Sequence, residues 1–154
     1  IDALPETVQF HPDGLLLGLG ATNGTIQIWD MKSQSVAASL EEHTGAVKAL
    51  AFSENGYYMA SGGKDEVVKV WDLRNGSCLQ SLEMGAGVNA VAFDYSGSYL
   101  CGGADVLRVW NTKTWEAIFE ETEAVKGYHS VLFGEKAQYL LAGCGNRAVE
   151  KLGL

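Results

Sequence analysis

Four copies of one pattern run along this chain at a spacing of about forty residues. Each copy reads as an apolar strand closing on Phe, a turn, a second apolar strand with glycines, and a third strand. The phenylalanines are Phe10, Phe52, Phe93 and Phe133, separated by 42, 41 and 40 residues. The third strand closes on Trp29, Trp71, Trp110 and, in a degenerate last copy, Leu152, separated by 42, 39 and 42. A period of this length makes the chain an array of like units, each stacked on its neighbours.

The second copy shows the unit most completely. Ala46 to Phe52 alternates apolar with small or polar residues, as a half-buried strand does. Asn55-Gly56 supplies the positive φ of a tight hairpin. Tyr57 to Gly62 is the next strand, Gly63 to Glu66 turns, and Val67 to Trp71 alternates again and ends in Trp71-Asp72. Leu73 to Gly76 turns a third time, and Ser77 to Leu82 is a short outer strand. A four-stranded unit of this length signed by Trp-Asp resembles a WD-repeat β-propeller blade. The predicted class is all-β, with about fifteen strands in blades at about 4–40, 43–82, 85–120 and 126–154. In the third copy Phe93 and Trp110 are 17 residues apart, against 19 elsewhere, so its second turn is shorter.

Composition agrees and excludes several classes. Charged residues make up 19% and apolar residues 47%, which suits a folded chain. Gly at 19 and Pro at 2, with 15 aromatics, suit an all-β chain rich in tight turns. The net charge of −8 argues against a large nucleic-acid surface, which needs clustered Lys and Arg. No apolar run approaches the ~20 residues that cross a membrane, and no signal peptide is read at the start. Cys78, Cys101 and Cys144 form no CxxC pair, so they read as buried free thiols in a reducing compartment. Neither a cofactor nor a metal is expected. Asn23-Gly24-Thr25 and Asn75-Gly76-Ser77 match the glycosylation sequon but read as turns.

Three full copies and one lacking its outer strand make about 3.75 blades, near half of the seven-bladed ring usual for such repeats. A half ring leaves apolar faces and strand edges open to water. The expectation is therefore a C-terminal portion of a larger propeller.

One copy carries a distinct constellation: His43, Ser61, Asp65 and Trp71. A buried indole N–H needs an acceptor, and a buried imidazole needs a partner on each nitrogen. In WD repeats such positions form a hydrogen-bonded chain from Trp through Ser and His to Asp. A Ser-His-Asp trio also suggests a hydrolase. Here, however, the Ser sits within a strand rather than on a nucleophile turn, and Trp71 accounts for the set structurally. The Ser61 equivalents are Leu19, Gly102 and Ala142, while Asn23, Asp105 and Asn146 hold the turn position. Blade two is expected to be the best locked, with His43 mattering more than His11 or His129.

Phe10-His11-Pro12-Asp13-Gly14-Leu15, Ala51-Phe52-Ser53-Glu54-Asn55-Gly56-Tyr57-Tyr58 and Val70-Trp71-Asp72-Leu73-Arg74 resemble the C-terminal propeller of the pre-mRNA-processing factor nineteen family. The resemblance spans essentially the whole chain. It implies a longer nuclear protein: a U-box that recruits a ubiquitin-conjugating enzyme, a coiled coil that makes a homotetramer, then this propeller as the partner-binding part. The partners it implies are proteins of the spliceosomal nineteen complex and ubiquitylation substrates. The U-box lies outside this chain, so no catalytic residue is carried over.

The function expected is a protein-binding scaffold whose turns present Lys64, Asp65 and Arg147 to partners, on a frame of rigid strands. The alternative is a substrate receptor of a cullin ubiquitin ligase. In that reading Arg74 of Trp71-Asp72-Leu73-Arg74 meets an adaptor carboxylate. An enzyme has less support: there is no phosphate-cradling Gly loop, no metal spacing and no nucleophile elbow. His129-Ser130 reads as ordinary packing. Glu116, Glu120, Glu121 and Glu123 read as a solvated outer edge that discourages strand pairing.

Overall fold

A computed structural model describes residues 3–122, 127–146 and 148–154. The described residues form fifteen strands, in order β1 (Pro5–Phe10), β2 (Leu16–Ala21), β3 (Ile26–Asp30), β4 (Ser35–Leu40), β5 (Val47–Phe52), β6 (Tyr58–Gly63), β7 (Val67–Asp72), β8 (Ser77–Glu83), β9 (Ala90–Phe93), β10 (Tyr99–Gly103), β11 (Leu107–Asn111), β12 (Ala117–Glu121), β13 (Tyr128–Phe133), β14 (Tyr139–Cys144) and β15 (Val149–Gly153). They make three four-stranded meanders, β1–β4, β5–β8 and β9–β12, and a three-stranded one, β13–β15. Every pairing is antiparallel. The first strands β1, β5, β9 and β13 lie side by side and form the inner edge of the array. This is the partial propeller that the repeat predicts.

The core lies between blades, because each strand's two faces meet two different neighbours. On β7, Val68 and Val70 point into the cluster shared with the third blade, while Trp71 points into the cluster shared with the first. A third cluster, around Leu107, Val109, Tyr128 and Leu140, joins the last two blades. Period-2 alternation therefore separates the two interfaces rather than core from solvent.

Glycines of the second strands make the interfaces close. A Cβ on Gly20 would come within 2.6 Å of the Val47 side chain, and one on Gly62 would collide with Val88. Each socket receives a branched side chain from the blade that follows. A side chain placed in the socket would push two sheets apart, and such overpacking typically costs about 1–3 kcal/mol.

A register shift precedes the tryptophan in each complete blade, at Ile28/Trp29, Val70/Trp71 and Val109/Trp110. The extra residue adds local twist where the indole enters the interface. The third blade's hairpin is shortened in its turn. Gly62 stands opposite Val68, whereas the equivalent Gly103 stands opposite Leu107.

On β1, Val8 and Phe10 are 58% and 57% exposed. Their equivalents in the next blade, Leu50 and Phe52, pack over Gly18. The first blade thus presents to solvent the face that the others bury.

Candidate functional site

The second blade brings His43, Ser61, Asp65 and Trp71 into one chain of hydrogen bonds. Ser61 sits mid-strand on β6 and Trp71 near the end of β7. Asp65 lies in the turn between them, and His43 in the segment entering β5. The Trp71 indole donates to Ser61 Oγ at 2.8 Å. Ser61 Oγ lies 2.7 Å from His43 Nε2, and His43 Nδ1 lies 2.7 Å from Asp65 Oδ2. The proton positions follow from chemistry. A carboxylate only accepts, so Nδ1 carries hydrogen. In the neutral ring Nε2 then accepts, and Ser61 supplies the proton.

Burial sets the charge state. The His43 side chain is wholly buried. Desolvation holds its pKa below the ordinary histidine value, against the Asp65 hydrogen bond that pulls it up. Asp65 Oδ2 also accepts from the Thr44 amide at 3.1 Å. Asp65 Oδ1 is buried without a hydrogen-bond partner among the described residues. Ser61 is fully buried and its oxygen already receives the indole proton. That hydroxyl is buried and already engaged, and the chain of bonds ties β6 and β7 to the turn holding Asp65 and the segment holding His43. Its net worth is about 0.5–1.5 kcal/mol per bond.

The other blades solve the same problem differently. In the first, Trp29 donates to Gln27 Oε1 at 3.1 Å. In the third, Gly102 stands where Ser61 does, and a Cβ there would sit 3.1 Å from Trp110 Cη2 and Cζ3. The Trp110 ring thus lies on bare backbone.

Of the remaining candidate residues, Lys64 is exposed in the turn before Asp65. Arg147 and Glu123 lie outside the described residues. Arg74 is committed within its own blade: Nε donates to Asp72 Oδ1 at 2.9 Å and Nη2 to Asp72 Oδ2 at 2.6 Å. Its guanidinium also stands 5.0 Å from the Tyr57 ring centre and 5.5 Å from that of Tyr58. Asp72 and Arg74 shift each other's pKa, the carboxyl down and the guanidinium up. An adaptor carboxylate would have to compete with Asp72 for this fork.

Two features were missed in the sequence. His11 reaches across to the second blade, with Nε2 2.8 Å from the Gly56 carbonyl oxygen and its ring edge-on to Phe52. The signal available was Gly56, whose φ of +75° and bare α-carbon let the imidazole approach. Trp115 has φ +59°, at the turn position where the second blade has Gly76 at +69°. That conformation costs a side-chain-bearing residue about 1–2 kcal/mol. Trp115 meets this cost by packing against the cluster between blades two and three.

Comparison with known proteins agrees with this geometry. The family model "WD domain, G-beta repeat" matches residues 6–30, 34–72 and 76–111. The last two segments begin in the outer strand of one blade and end in the third strand of the next, so the sequence repeat straddles two sheets. The chain is 39% identical over 151 residues to Pre-mRNA-processing factor 19 homolog 2 of Arabidopsis thaliana, covering 94% of this chain and 28% of the relative. It is 40% identical over 155 residues to Pre-mRNA-processing factor 19 of Oryza sativa subsp. japonica, covering 96% and 29%. With the Homo sapiens protein of that name it shares 39% over 144 residues, covering 92% and 29%. The chain therefore spans under a third of the length of the curated relatives it matches. Its stacked four-stranded sheets, Trp-Asp strand ends and matched repeats place it in the WD-repeat family.

Proposed function

We propose that this chain is a protein-binding scaffold in pre-mRNA splicing, within the partner-recognition propeller of a nuclear U-box ubiquitin ligase. The observation that carries the reading is identity of 39–40% over more than nine-tenths of the chain to Pre-mRNA-processing factor 19 proteins. The fold supports the scaffold part. Where blades stack, their strand faces are consumed, which leaves turns and blade edges there as the surfaces free to meet partners. Within this reading the ligase chemistry belongs to a U-box outside the chain, and tetramerisation to a coiled coil outside it. The blades supply recognition of complex members and ubiquitylation substrates. Lys64 is offered as a partner contact at one end of the array.

A chimera tests the proposal. The matching segment of the human relative is replaced by residues 1–154, and the chimera is asked to restore splicing in nuclear extract depleted of the endogenous protein. The expected result is restored splicing, weakened by Lys64→Glu. A chimera that folds, by thermal melting, yet neither joins splicing complexes nor restores splicing would refute the reading.

A further inference from the structure

Three Asn-Gly pairs stand in turns: Asn23-Gly24, Asn55-Gly56 and Asn75-Gly76. Such a pair carries a reaction of its own, because the glycine has no Cβ to obstruct its amide nitrogen. Base takes the proton from that nitrogen, which then attacks the asparagine side-chain carbonyl carbon. The new N–C bond closes a five-membered imide, and the side-chain nitrogen leaves as ammonia, taking up the proton. Water then opens the imide at either carbonyl and gives aspartate or isoaspartate. Nothing is oxidised or reduced, and water is the only co-reactant.

Two features separate the three pairs. The first is polarisation of the carbonyl under attack. Asn75 Oδ1 accepts from the Ser77 amide at 3.1 Å and the Ser77 hydroxyl at 2.7 Å. Donors so placed face the oxygen on which negative charge gathers. Asn55 Oδ1 has a like pair, the Tyr57 amide at 3.0 Å and the Ser53 hydroxyl at 2.7 Å. Asn23 Oδ1 accepts from the Thr25 amide at 3.1 Å.

The second feature is what grips the glycine, since closing the imide rotates the pair out of its turn. All three glycine amides donate to a carbonyl of their own turn, those of Ala21, Ser53 and Asp72. Gly24 is also buried, and a Cβ on it would collide with the His43 carbonyl oxygen. Gly56 is held from the first blade. Its carbonyl accepts from His11 Nε2 at 2.8 Å, and a Cβ on it would sit 2.7 Å from that ring. Gly76 is exposed, and beyond its chain neighbours the nearest atom to such a Cβ is Leu40 Cδ2, at 4.0 Å.

We propose that Asn75 converts spontaneously to aspartate and isoaspartate in the folded protein, and that His11 shields Asn55 from the same reaction. Either product adds a negative charge to the exposed turn between β7 and β8. Isoaspartate also adds a backbone carbon just ahead of β8. The site stands apart from the splicing reading, because the chemistry needs only this chain and water.

The folded protein is aged in warm, mildly alkaline buffer, digested, and mapped by mass spectrometry that separates Asn, Asp and isoaspartate. Residue 75 is expected to convert about tenfold faster than residues 23 and 55, and Ser77→Ala to slow it about threefold. In urea, where the contacts are gone, the three rates should converge. His11→Ala is expected to raise the rate at residue 55 about fivefold and to leave residues 23 and 75 unchanged. The steady rate at residue 23 shows that this variant stays folded. Equal rates at the three positions in the folded protein, or no conversion at residue 75 when urea permits it, would overturn the site. A His11→Ala variant that speeds residue 55 no more than residue 23 would overturn the shield.

Discussion

The second and third blades share a strand order and a Trp at the same place, yet they hold that Trp by opposite means. In the second, the indole N–H enters a polar chain through Ser61 and His43 to Asp65. In the third, Gly102 removes the side chain that would carry such a bond, and the Trp110 ring packs against backbone instead. One solution depends on the charge state of a buried imidazole. The other depends only on shape. A repeat array can thus conserve its geometry while exchanging the interaction that maintains it, since each blade needs only a filled interface.

The strongest way to break the contrast is His43→Ala. It leaves Ser61 and Asp65 facing a cavity, and about 3 kcal/mol of stability should be lost. Urea unfolding at neutral pH measures this. His11→Ala removes a less buried ring and a single cross-blade bond, so about 1 kcal/mol is expected. His129 is exposed, and its replacement by Ala should stay within about 0.5 kcal/mol. Equal losses at the three positions would refute the lock.

Next in size is Gly102→Ser, which installs the serine of blade two without its histidine. Its Cβ would press on the Trp110 ring, and about 1–2 kcal/mol should be lost. A stabilised variant would show that the polar solution transfers piece by piece. Hydrogen exchange at β10 and β11 locates the effect.

The smallest effect is pH dependence. His43 has a depressed pKa in the fold, so the unfolded chain binds more protons in mild acid. Stability contributed by the neutral ring is present above the ordinary histidine pKa of about 6.5 and is lost as pH falls below it. Between pH 7 and pH 5, the protein should therefore lose more stability than His43→Gln does. Parallel pH profiles would remove the imidazole's charge state from the account.

Much of this was readable from residue types and spacing. The Phe and Trp anchors mark strand ends, Asn55-Gly56 marks a hairpin, and the two-residue deficit of the third copy falls in its turn. The Trp-Ser-His-Asp chain could be named because each member needs a partner that another supplies. What escaped depends on distances between blades, which a repeat period does not contain. His11 meets Gly56 across 45 positions of sequence. Arg74 looks free in Trp71-Asp72-Leu73-Arg74, but the turn folds its fork back onto Asp72.

The glycine sockets give the array a direction. Gly20 takes Val47 and Gly62 takes Val88, always from the blade that comes later in the chain. A blade is therefore not interchangeable end for end, and inverting one would set socket against socket. A duplicated blade, by contrast, arrives already matched to its parent on both sides. Lengthening by tandem copying is structurally cheap for such a chain, and shuffling or reversal is not. The same asymmetry would let a drifting blade, such as the one after residue 127, keep its place while its own signature residues are lost.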